Sequence, residues 1–244
     1  MDRLKRAALR TGVGAPLRAV KRRFDPAHVR RDRADHARLQ SLLADVLRPD
    51  SSALDVGCHE GAVLAEIVRL APDGRHVAWE PLPELCARTA ARFPDVDVRC
   101  AALSDRAEER DFVYVTTLPG WSGFRARPYP GDQSTETIRV RTERLDDVLP
   151  EGFAPALIKI DVEGAELEVL RGGIETITRH RPVVVFEHGR GSADHYGTAP
   201  AVVWELLDAA GLRVSGLDGA GPFTLAEFED EFARAERVNF VARP

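Results

Sequence analysis

The sequence predicts an α/β fold with a mostly parallel sheet, and three observations support this. From residue 52 onward, short apolar runs of strand length alternate with amphipathic runs of helical period. Glycines and prolines separate these runs, as expected of turns. The chain has 244 residues, 44% of them hydrophobic and 30% charged, which suits one globular domain with an extension.

Composition excludes several classes of protein. No apolar run approaches the roughly 20 residues that a membrane-spanning helix needs, and residues 1–10 lack the apolar core of a signal peptide. The three cysteines, Cys58, Cys86 and Cys100, are scattered and form no C-x-x-C pair. We therefore expect neither disulfides nor a cysteine zinc site, and we expect a cytoplasmic location.

Charge is distributed unevenly along the chain. Residues 1–38 hold twelve Lys or Arg and four Asp or Glu, a local net charge of +8, whereas the other 206 residues sum to −13. This basic arm is either a solvated helical extension or a contact for nucleic acid, anionic lipid or a phosphorylated substrate. Because its only aromatic residue is Phe24, it does not resemble a single-strand binder, and no nucleic-acid partner is expected.

The first half of the domain is predicted as three strands with two helices between them, preceded by a helix at 35–47 that Pro49 ends. Each strand is a short apolar run, and each helix carries its apolar residues on one side. In chain order these elements are residues 52–56, 62–70, 76–79, 82–92 and 96–102.

The middle of the chain has a different character. Strands are predicted at 111–117 and 138–142, and residues 118–134 between them contain Trp121, Phe124, Tyr129, three prolines and three glycines. A long irregular segment of this kind usually lies on the surface and often covers a site.

The second half returns to alternating strands and helices. The nearly continuous apolar run at 156–160 is typical of a central strand that is buried on both faces. The helix after it is expected to stop at the pair Gly172-Gly173. In chain order the elements are residues 156–160, 165–170, 182–186, 201–210, 213–217, 225–235 and 238–241.

The turn after the first strand indicates a nucleotide-type site. It reads Asp-Val-Gly-Cys-His-Glu-Gly from Asp55 to Gly61, and Gly57 allows a tight turn and close approach of a ligand. Ligands of open α/β sheets bind beyond the carboxyl ends of strands. Glu80 ends the second strand, where a carboxylate can accept hydrogen bonds from both hydroxyls of a ribose.

The residue types in this turn favour S-adenosylmethionine over a dinucleotide. Asp55 and Glu60 would repel a pyrophosphate, and the third glycine of the dinucleotide fingerprint is absent. An adenine would lie where the third strand ends. The predicted cofactor-binding residues are Asp55, Gly57, Cys58, Glu60, Gly61, Glu80, Ala102, Ser104 and Asp105.

The ends of the fourth and fifth strands carry the candidate catalytic residues Asp161, Glu187 and His188, which we expect to converge near the cofactor. His188 could act as a base near neutral pH, or the three could hold a divalent cation such as Mg²⁺. Three alternatives stay open. Asp161 could have a purely structural role, His188 could be a hydrogen-bonded turn residue, and the site could bind no metal. Glu163 and Glu166 would suit the first turn of the next helix.

In these motifs the chain resembles the FkbM family of S-adenosylmethionine-dependent methyltransferases. The most specific match is Ile-Lys-Ile-Asp-Val-Glu-Gly-Ala-Glu at 158–166, supported by residues 54–57, Glu80-Pro81 and residues 144–147. The resemblance implies a Rossmann-like class I methyltransferase fold with a seven-stranded sheet, in which residues 238–241 form the antiparallel last strand. One departure is Cys58-His59-Glu60, where relatives often carry a small residue followed by Asn.

The resemblance also implies O-methylation of a sugar, glycoconjugate or secondary metabolite, without fixing the acceptor. Residues 1–48 would be the basic helical extension and residues 49–244 the catalytic domain, with an acceptor-site insertion at 118–134. The predicted acceptor-binding residues are Trp121, Ser122, Arg125, Tyr129, His195 and Tyr196.

Two other functions stay open. A nucleic-acid methyltransferase would account for the basic arm, although the Asp/Asn-Pro-Pro-aromatic loop of N-methylating relatives is absent. The second possibility is a partner protein that binds the cofactor but has no catalytic activity. The expected partner is a small-molecule or glycan acceptor, and a homo-oligomer is left open.

Overall fold

A computed structural model describes residues 27–244 of the chain, with ten strands and eight α-helices in that part. The strands are β1 (Ser52–Val56), β2 (His76–Trp79), β3 (Asp97–Arg99), β4 (Ala102–Leu103), β5 (Glu109–Val115), β6 (Thr135–Glu143), β7 (Pro155–Ile160), β8 (Val183–Glu187), β9 (Arg213–Gly216) and β10 (Asn239–Arg243). The helices are α1 (Ala27–Val46), α2 (Ala62–Leu70), α3 (Pro83–Arg92), α4 (Leu145–Val148), α5 (Glu166–Gly172), α6 (Ile174–His180), α7 (Pro200–Ala209) and α8 (Leu225–Arg234).

Seven strands form the main sheet, in the order β3-β2-β1-β7-β8-β10-β9. β1 pairs in parallel with β2 and β7, whereas β10 runs antiparallel to both β8 and β9. The chain order reverses between β1 and β7, so a crevice opens there at the carboxyl ends of the strands. The predicted Rossmann-like architecture with an antiparallel last strand is confirmed.

The central strands are buried along almost their whole length. Leu54, Val56, Ile158 and Phe186 are almost completely inaccessible to solvent and belong to one hydrophobic core. Helices cover both faces of these strands, which is why their sequences are nearly continuous apolar runs rather than alternating ones.

The predicted third strand is divided between two sheets. β3 ends at Arg99, and Ala102–Leu103 forms β4, which pairs with β6 in a separate three-stranded sheet of order β4-β6-β5. β5 and β6 are antiparallel and flank the insertion, residues 118–134. After Arg99 the chain leaves the main sheet, because residues 102–103 pair with β6, about 40 residues later in sequence.

A helix that the sequence did not predict follows the pair Gly172-Gly173. α5 ends at Gly172, and α6 begins directly afterwards at Ile174. A Cβ atom on Gly172 would lie 2.1 Å from the backbone oxygen of Ser104, and one on Gly173 would lie 2.6 Å from Leu145 Cδ2. These glycines therefore allow close packing against two neighbouring segments and do not simply stop a helix.

The expectation that the chain forms no disulfide is wrong. Cys86 on α3 and Cys100 after β3 are bonded, with their Cα atoms 5.5 Å apart, while buried Cys58 is free. α3 packs against β3, and this brings together two cysteines whose spacing alone fits no recognised pattern.

Residues 41–244 form one compact unit, and the described residues before them, 27–40, belong to another. The helix predicted at 35–47 is confirmed within α1, where Arg38 forms an ion pair of 2.7 Å with Asp35. Residues 1–26 of the predicted basic helical extension lie outside the described residues. Among residues 27–244, no helix has the length and apolar character needed to cross a membrane.

Candidate active site

A first cavity of about 260 Å³ opens at the carboxyl ends of β1 and β2. Its apolar walls include Leu82, Leu103, Phe112 and Phe124, and the two phenylalanine rings pack edge to face, 5.3 Å between centroids. The polar side chains on its lining include Glu80, Asp161 and Glu163. Apolar walls with a few fixed polar groups are typical of a small-molecule site.

Glu80 is held in one orientation by the backbone around it. Its Oε2 accepts a hydrogen bond from the His59 amide at 2.9 Å, and its Oε1 accepts one from the Leu82 amide at 3.0 Å. The residue is only 4% exposed, and burial raises the pKa of its carboxyl. Each oxygen has further acceptor capacity, so the carboxylate can bind a pair of hydroxyls in the first cavity.

Gly57 is required by the packing between the turns after β1 and β7. Its φ is +75°, and a Cβ atom there would lie 1.9 Å from the backbone oxygen of Asp161. No other residue fits this position without moving one of the two turns. Gly57 lines the first cavity, so this part of the wall is backbone and leaves room for a ligand.

Lys159 connects the same two turns electrostatically. Its Nζ donates to the backbone oxygen of Gly57 at 3.0 Å and lies 3.4 Å from both Asp55 Oδ1 and Asp161 Oδ2. Burial alone lowers the pKa of Lys159, but the two carboxylates outweigh it and raise that pKa. Burial raises the pKa of Asp55, and Lys159 opposes this shift. Asp55 therefore connects β1 to β7 and lines neither cavity.

A second cavity, of about 400 Å³, lies beside the first. Its lining includes Trp121, Arg127, Glu163, Glu187, Arg190 and His195. Of the described residues, Glu163 alone lines both cavities. The two cavities therefore share one carboxylate.

Arg127 fixes the insertion onto the rest of the site. Its guanidinium donates to the Glu163 carboxylate and, at 3.1 Å, to the backbone oxygen of Gly191. The same group lies over the Trp121 ring, 4.6 Å from the centroid. Stacking and paired donation are both properties of the planar guanidinium that a lysine lacks.

The carboxyl groups at this junction bind protons unusually tightly. Burial raises the pKa of Glu163 and of Glu187 to about 8, and the nearby Asp161 carboxylate adds to both shifts. Arg127 opposes the shift in both cases. These groups can therefore exchange a proton close to neutral pH.

Glu166 holds the turn between β7 and α5. It is 2% exposed, and its Oε1 accepts hydrogen bonds from the amides of Val162 and Gly164, both at 3.1 Å. Burial, reinforced by Glu187, raises the pKa of Glu166 to about 8. The sequence placed Glu166 in the first turn of a helix, where it does begin α5, but its carboxyl group also organises the loop that carries Glu163.

The structure divides the predicted cofactor residues into two groups. Gly57, Glu80 and Ala102 line the first cavity. Six others line neither cavity: Asp55, Cys58, Glu60, Gly61, Ser104 and Asp105. The sequence did not single out three residues that do line the first cavity: His59, Leu82 and Phe112.

The six residues have other contacts. Cys58 packs beside Leu64 and Ala78, and burial raises the pKa of its thiol. Glu60 is exposed and lies 3.9 Å from Arg88. The Ser104 hydroxyl donates to Glu168 at 2.8 Å.

His188 lies away from both cavities. It is 1% exposed, its ring packs 5.5 Å from the Phe228 ring and 5.0 Å from the Phe232 ring, and burial lowers its pKa to about 4. The expected convergence of His188 with Asp161 and Glu187 is therefore not observed. Successive strand residues point to opposite faces, so Glu187 reaches the second cavity and His188 reaches the layer beneath α8.

These three side chains do not form a site for a divalent cation. Asp161 lines the first cavity, Glu187 lines the second, and His188 lines neither. Across residues 27–244, no group of three or more His, Cys, Asp or Glu is arranged to hold a metal ion.

The predicted acceptor residues are also divided. Trp121 and His195 line the second cavity, whereas Ser122 lines the first and accepts a hydrogen bond from the Val115 amide at 3.0 Å. Arg125 donates to the backbone oxygen of His195 at 3.1 Å and lies over the Tyr196 ring.

Tyr129 and Tyr196 line neither cavity, and their hydroxyl groups are buried. The sequence did not single out Arg127 and Arg190, which do line the second cavity. Only their positions in the sequence could have indicated a role in the site. Arg127 lies within the aromatic insertion, and Arg190 lies just after the fifth parallel strand.

Comparison with known proteins identifies the family of the domain. The Methyltransferase FkbM domain matches residues 55–214. The chain is 33% identical over 163 residues to the 2-O-methyltransferase NoeI of Sinorhizobium fredii, a match that covers 60% of this chain and 65% of NoeI. It is 31% identical over 212 residues to the AMB antimetabolite synthetase AmbE of Pseudomonas aeruginosa, covering 70% of this chain and 10% of AmbE.

A solved structure shares the fold. The crystal structure of Methyltransferase FkbM from Methylobacillus flagellatus superposes with a TM-score of 0.51 at 14% identity, over 81% of this chain and 44% of that one. The chain thus spans less than two thirds of each of these relatives. Because the domain match spans well over half of the chain, the protein belongs to the FkbM family of methyltransferases.

Proposed function

We propose that this protein is an S-adenosylmethionine-dependent O-methyltransferase that acts on a hydroxyl group of a sugar, glycoconjugate or secondary metabolite. The observation that carries the proposal is that the two cavities meet at Glu163. Methyl transfer needs two ligands side by side, with the reacting atoms roughly 3 Å apart and in line. Two adjoining cavities provide that arrangement.

The first cavity has the chemistry that S-adenosylmethionine requires. Glu80, held by two backbone amides, would bind the ribose hydroxyls. The apolar walls at Leu103, Phe112 and Phe124 suit the faces of an adenine. Asp161 and Glu163 place acidic groups where the ammonium and sulfonium of the cofactor need them.

The second cavity suits a polyhydroxylated acceptor. Trp121 offers an aromatic surface for the apolar face of a sugar ring, while Arg190 and His195 offer hydrogen-bonding groups. NoeI is a 2-O-methyltransferase, which supports oxygen as the methylated atom here. The proton of the acceptor hydroxyl would then pass to a carboxylate at the junction, because His188 does not reach either cavity.

The remaining assignments follow from this proposal. Residues 49–244 would form the catalytic domain, and residues 118–134 would form its acceptor-site insertion. Residues 1–48 would form an extension whose positive charge could attract an anionic acceptor. We place the reaction in the cytoplasm because of the proposed cofactor alone, since the disulfide between Cys86 and Cys100 removes the argument from cysteine usage.

Two measurements test the proposal. Calorimetry of the purified chain with S-adenosylmethionine and S-adenosylhomocysteine should show binding of both. Incubation with methyl-labelled S-adenosylmethionine and a panel of p-nitrophenyl glycosides of neutral and amino sugars should transfer label to a hydroxyl, with the site identified by mass spectrometry. Failure to bind either cofactor form would rule out the cofactor assignment, and label found on nitrogen would rule out O-methylation.

A further inference from the structure

We propose that Glu163 is the residue that touches both reactants: its carboxylate faces the cofactor sulfonium on one side and accepts the proton of the acceptor hydroxyl on the other. This inference rests on the proposed function and assigns a role to one residue within it. The sequence suggested a helix terminus for Glu163, and the structure places it in the turn between β7 and α5.

The placement of Glu163 is the first argument. It lines the first cavity beside Asp161 and Val162, and it lines the second cavity beside Arg127 and Glu187. Since no other described residue lines both cavities, Glu163 is the side chain that would adjoin both proposed ligands. A group there can contact the sulfonium and the incoming oxygen in the same complex.

The backbone of Glu163 is the second argument. Its φ is +59°, in the left-handed region that residues other than glycine, asparagine and aspartate rarely adopt. Such a conformation is disfavoured and persists only where the surrounding structure maintains it. Here the carboxyl of Glu166 accepts hydrogen bonds from the amides on either side, at Val162 and Gly164. The fold therefore holds Glu163 in a conformation that its own residue type disfavours.

Arg127 is the positioning residue for Glu163. Its side chain is only 6% exposed and is fixed by the Trp121 ring and the Gly191 carbonyl. By donating to one oxygen of Glu163, it restricts the carboxylate and leaves the other oxygen free to face the reactants. The insertion thereby controls the orientation of a group located on a different loop.

The proposed step conserves atoms and charge. The acceptor oxygen attacks the methyl carbon, so a C–O bond forms as the C–S bond breaks and its electron pair stays on sulfur. The hydroxyl proton moves to the Glu163 carboxylate, leaving a methyl ether and a neutral thioether. The charged groups that face Glu163 are Asp161, Glu166, Glu187 and Arg127. Burial raises the pKa of Glu163 to about 8, which suits a group that accepts a proton near neutral pH.

The first test needs no acceptor. Calorimetry at pH 8.5 compares S-adenosylmethionine, which carries the sulfonium, with S-adenosylhomocysteine, which does not. We expect Glu163→Gln to reduce the preference for S-adenosylmethionine by roughly tenfold, as for one desolvated charge pair. Glu163→Asp should keep most of the preference, and Glu205→Gln, an exposed change on α7, should keep all of it.

The outcomes separate the two proposals. If the wild type binds both ligands and Glu163→Gln keeps the wild-type ratio, this inference is overturned while the proposed function stands. If the wild type binds neither ligand, the proposed function fails and this inference fails with it. Since Glu163→Asp retains the charge, a loss of the preference in that variant together with a normal circular dichroism spectrum would also count against the inference.

The second test separates the roles of Glu163 and Arg127, using the best glycoside acceptor of the wild type. Glu163→Gln should lower kcat by roughly 100-fold or more, as for loss of a general base. Arg127→Lys should also lower kcat, because a lysine cannot both stack on Trp121 and donate to two acceptors. It keeps the positive charge that opposes protonation of Glu163, so it should retain the preference for S-adenosylmethionine. Equal losses of kcat and of the ligand preference in Arg127→Lys would contradict the positioning role.

Discussion

Trp79 donates a hydrogen bond from its indole Nε1 to Glu143 Oε2 at 3.0 Å, and this bond joins the main sheet to the three-stranded sheet. Trp79 ends β2 and lines the first cavity, while Glu143 ends β6. Arg141 lies 2.8 Å from the other oxygen of Glu143. A buried polar contact between two sheets thus fixes one wall of the proposed cofactor site.

Glu143→Ala should lower the free energy of unfolding by about 1–3 kcal/mol, because it leaves the buried indole N–H of Trp79 without a partner. Urea denaturation followed by tryptophan fluorescence measures this loss. Glu136→Ala, at an exposed position of the same strand, is the control and should change stability by less than about 0.5 kcal/mol. Equal effects of the two substitutions would show that the bond to Trp79 contributes nothing.

Glu80→Gln should weaken S-adenosylmethionine binding by roughly tenfold to a hundredfold, because an amide cannot accept hydrogen bonds from two ribose hydroxyls as a carboxylate does. The NH₂ group of the new glutamine would also face the backbone amide of either His59 or Leu82, and two donors cannot bond to each other. Calorimetry gives the two dissociation constants. Glu84→Gln, an exposed change on α3, serves as the matched control. An unchanged affinity in Glu80→Gln would remove Glu80 from the ribose role.

Gly57 and Glu80 could be located from the sequence because each lies at the end of a parallel strand. Strand ends in a sheet of this kind are recognisable from short apolar runs, and their carboxyl ends meet at one edge. The strands of the main sheet were predictable for the same reason. The hydrophobic pattern of each strand depends only on neighbouring residues in the sequence.

Arg127 could not be assigned because its partner Glu163 is 36 residues away, across a segment without periodicity. The same limit applies to Cys86 and Cys100, whose proximity follows from the packing of α3 on β3. It also applies to the pairing of β4 with β6. Each of these contacts depends on tertiary packing, which hydrophobic periodicity does not encode.

Glu166→Gln should make the stability of the protein less dependent on pH. The pKa of Glu166 is raised to about 8 in the folded chain, against an ordinary value of 4.5, so the folded state holds the proton more tightly. Its contribution to stability is therefore complete below pH 4.5 and is lost as the pH rises to about 8. Glutamine carries no charge and can keep the acceptor oxygen for the amides of Val162 and Gly164.

The experiment compares the free energy of unfolding at pH 5 and pH 8. We expect the decrease over this interval to be smaller in Glu166→Gln than in the wild type, by on the order of 2 kcal/mol. Glu205→Gln, an exposed change on α7, should follow the wild type. A decrease as large in Glu166→Gln as in the wild type would mean that Glu166 is ionised in the folded protein.

Reduction of the disulfide between Cys86 and Cys100 should destabilise the protein by roughly 3 kcal/mol, the value expected for closing a loop of about 15 residues. Thermal unfolding with and without dithiothreitol measures the effect, and mass spectrometry verifies the bond by a gain of two hydrogens. The Cys86→Ser/Cys100→Ser variant should unfold at the lower temperature under both conditions. A wild-type Tm that does not change on verified reduction would contradict the prediction.

His188→Phe should leave methyl transfer within roughly threefold of the wild type, because His188 packs against Phe228 and Phe232 and lines neither cavity. The substitution should also reduce acid sensitivity. Burial lowers the pKa of His188 to about 4, from an ordinary value of 6.5, so the folded chain keeps the ring neutral. Its contribution to stability is complete above pH 6.5 and is lost as the pH falls through 4. Activity with the wild type's best acceptor and Tm at pH 7 and pH 5 measure both effects. Loss of more than about 100-fold in kcat at an unchanged Tm would instead identify His188 as the base and would remove that role from Glu163.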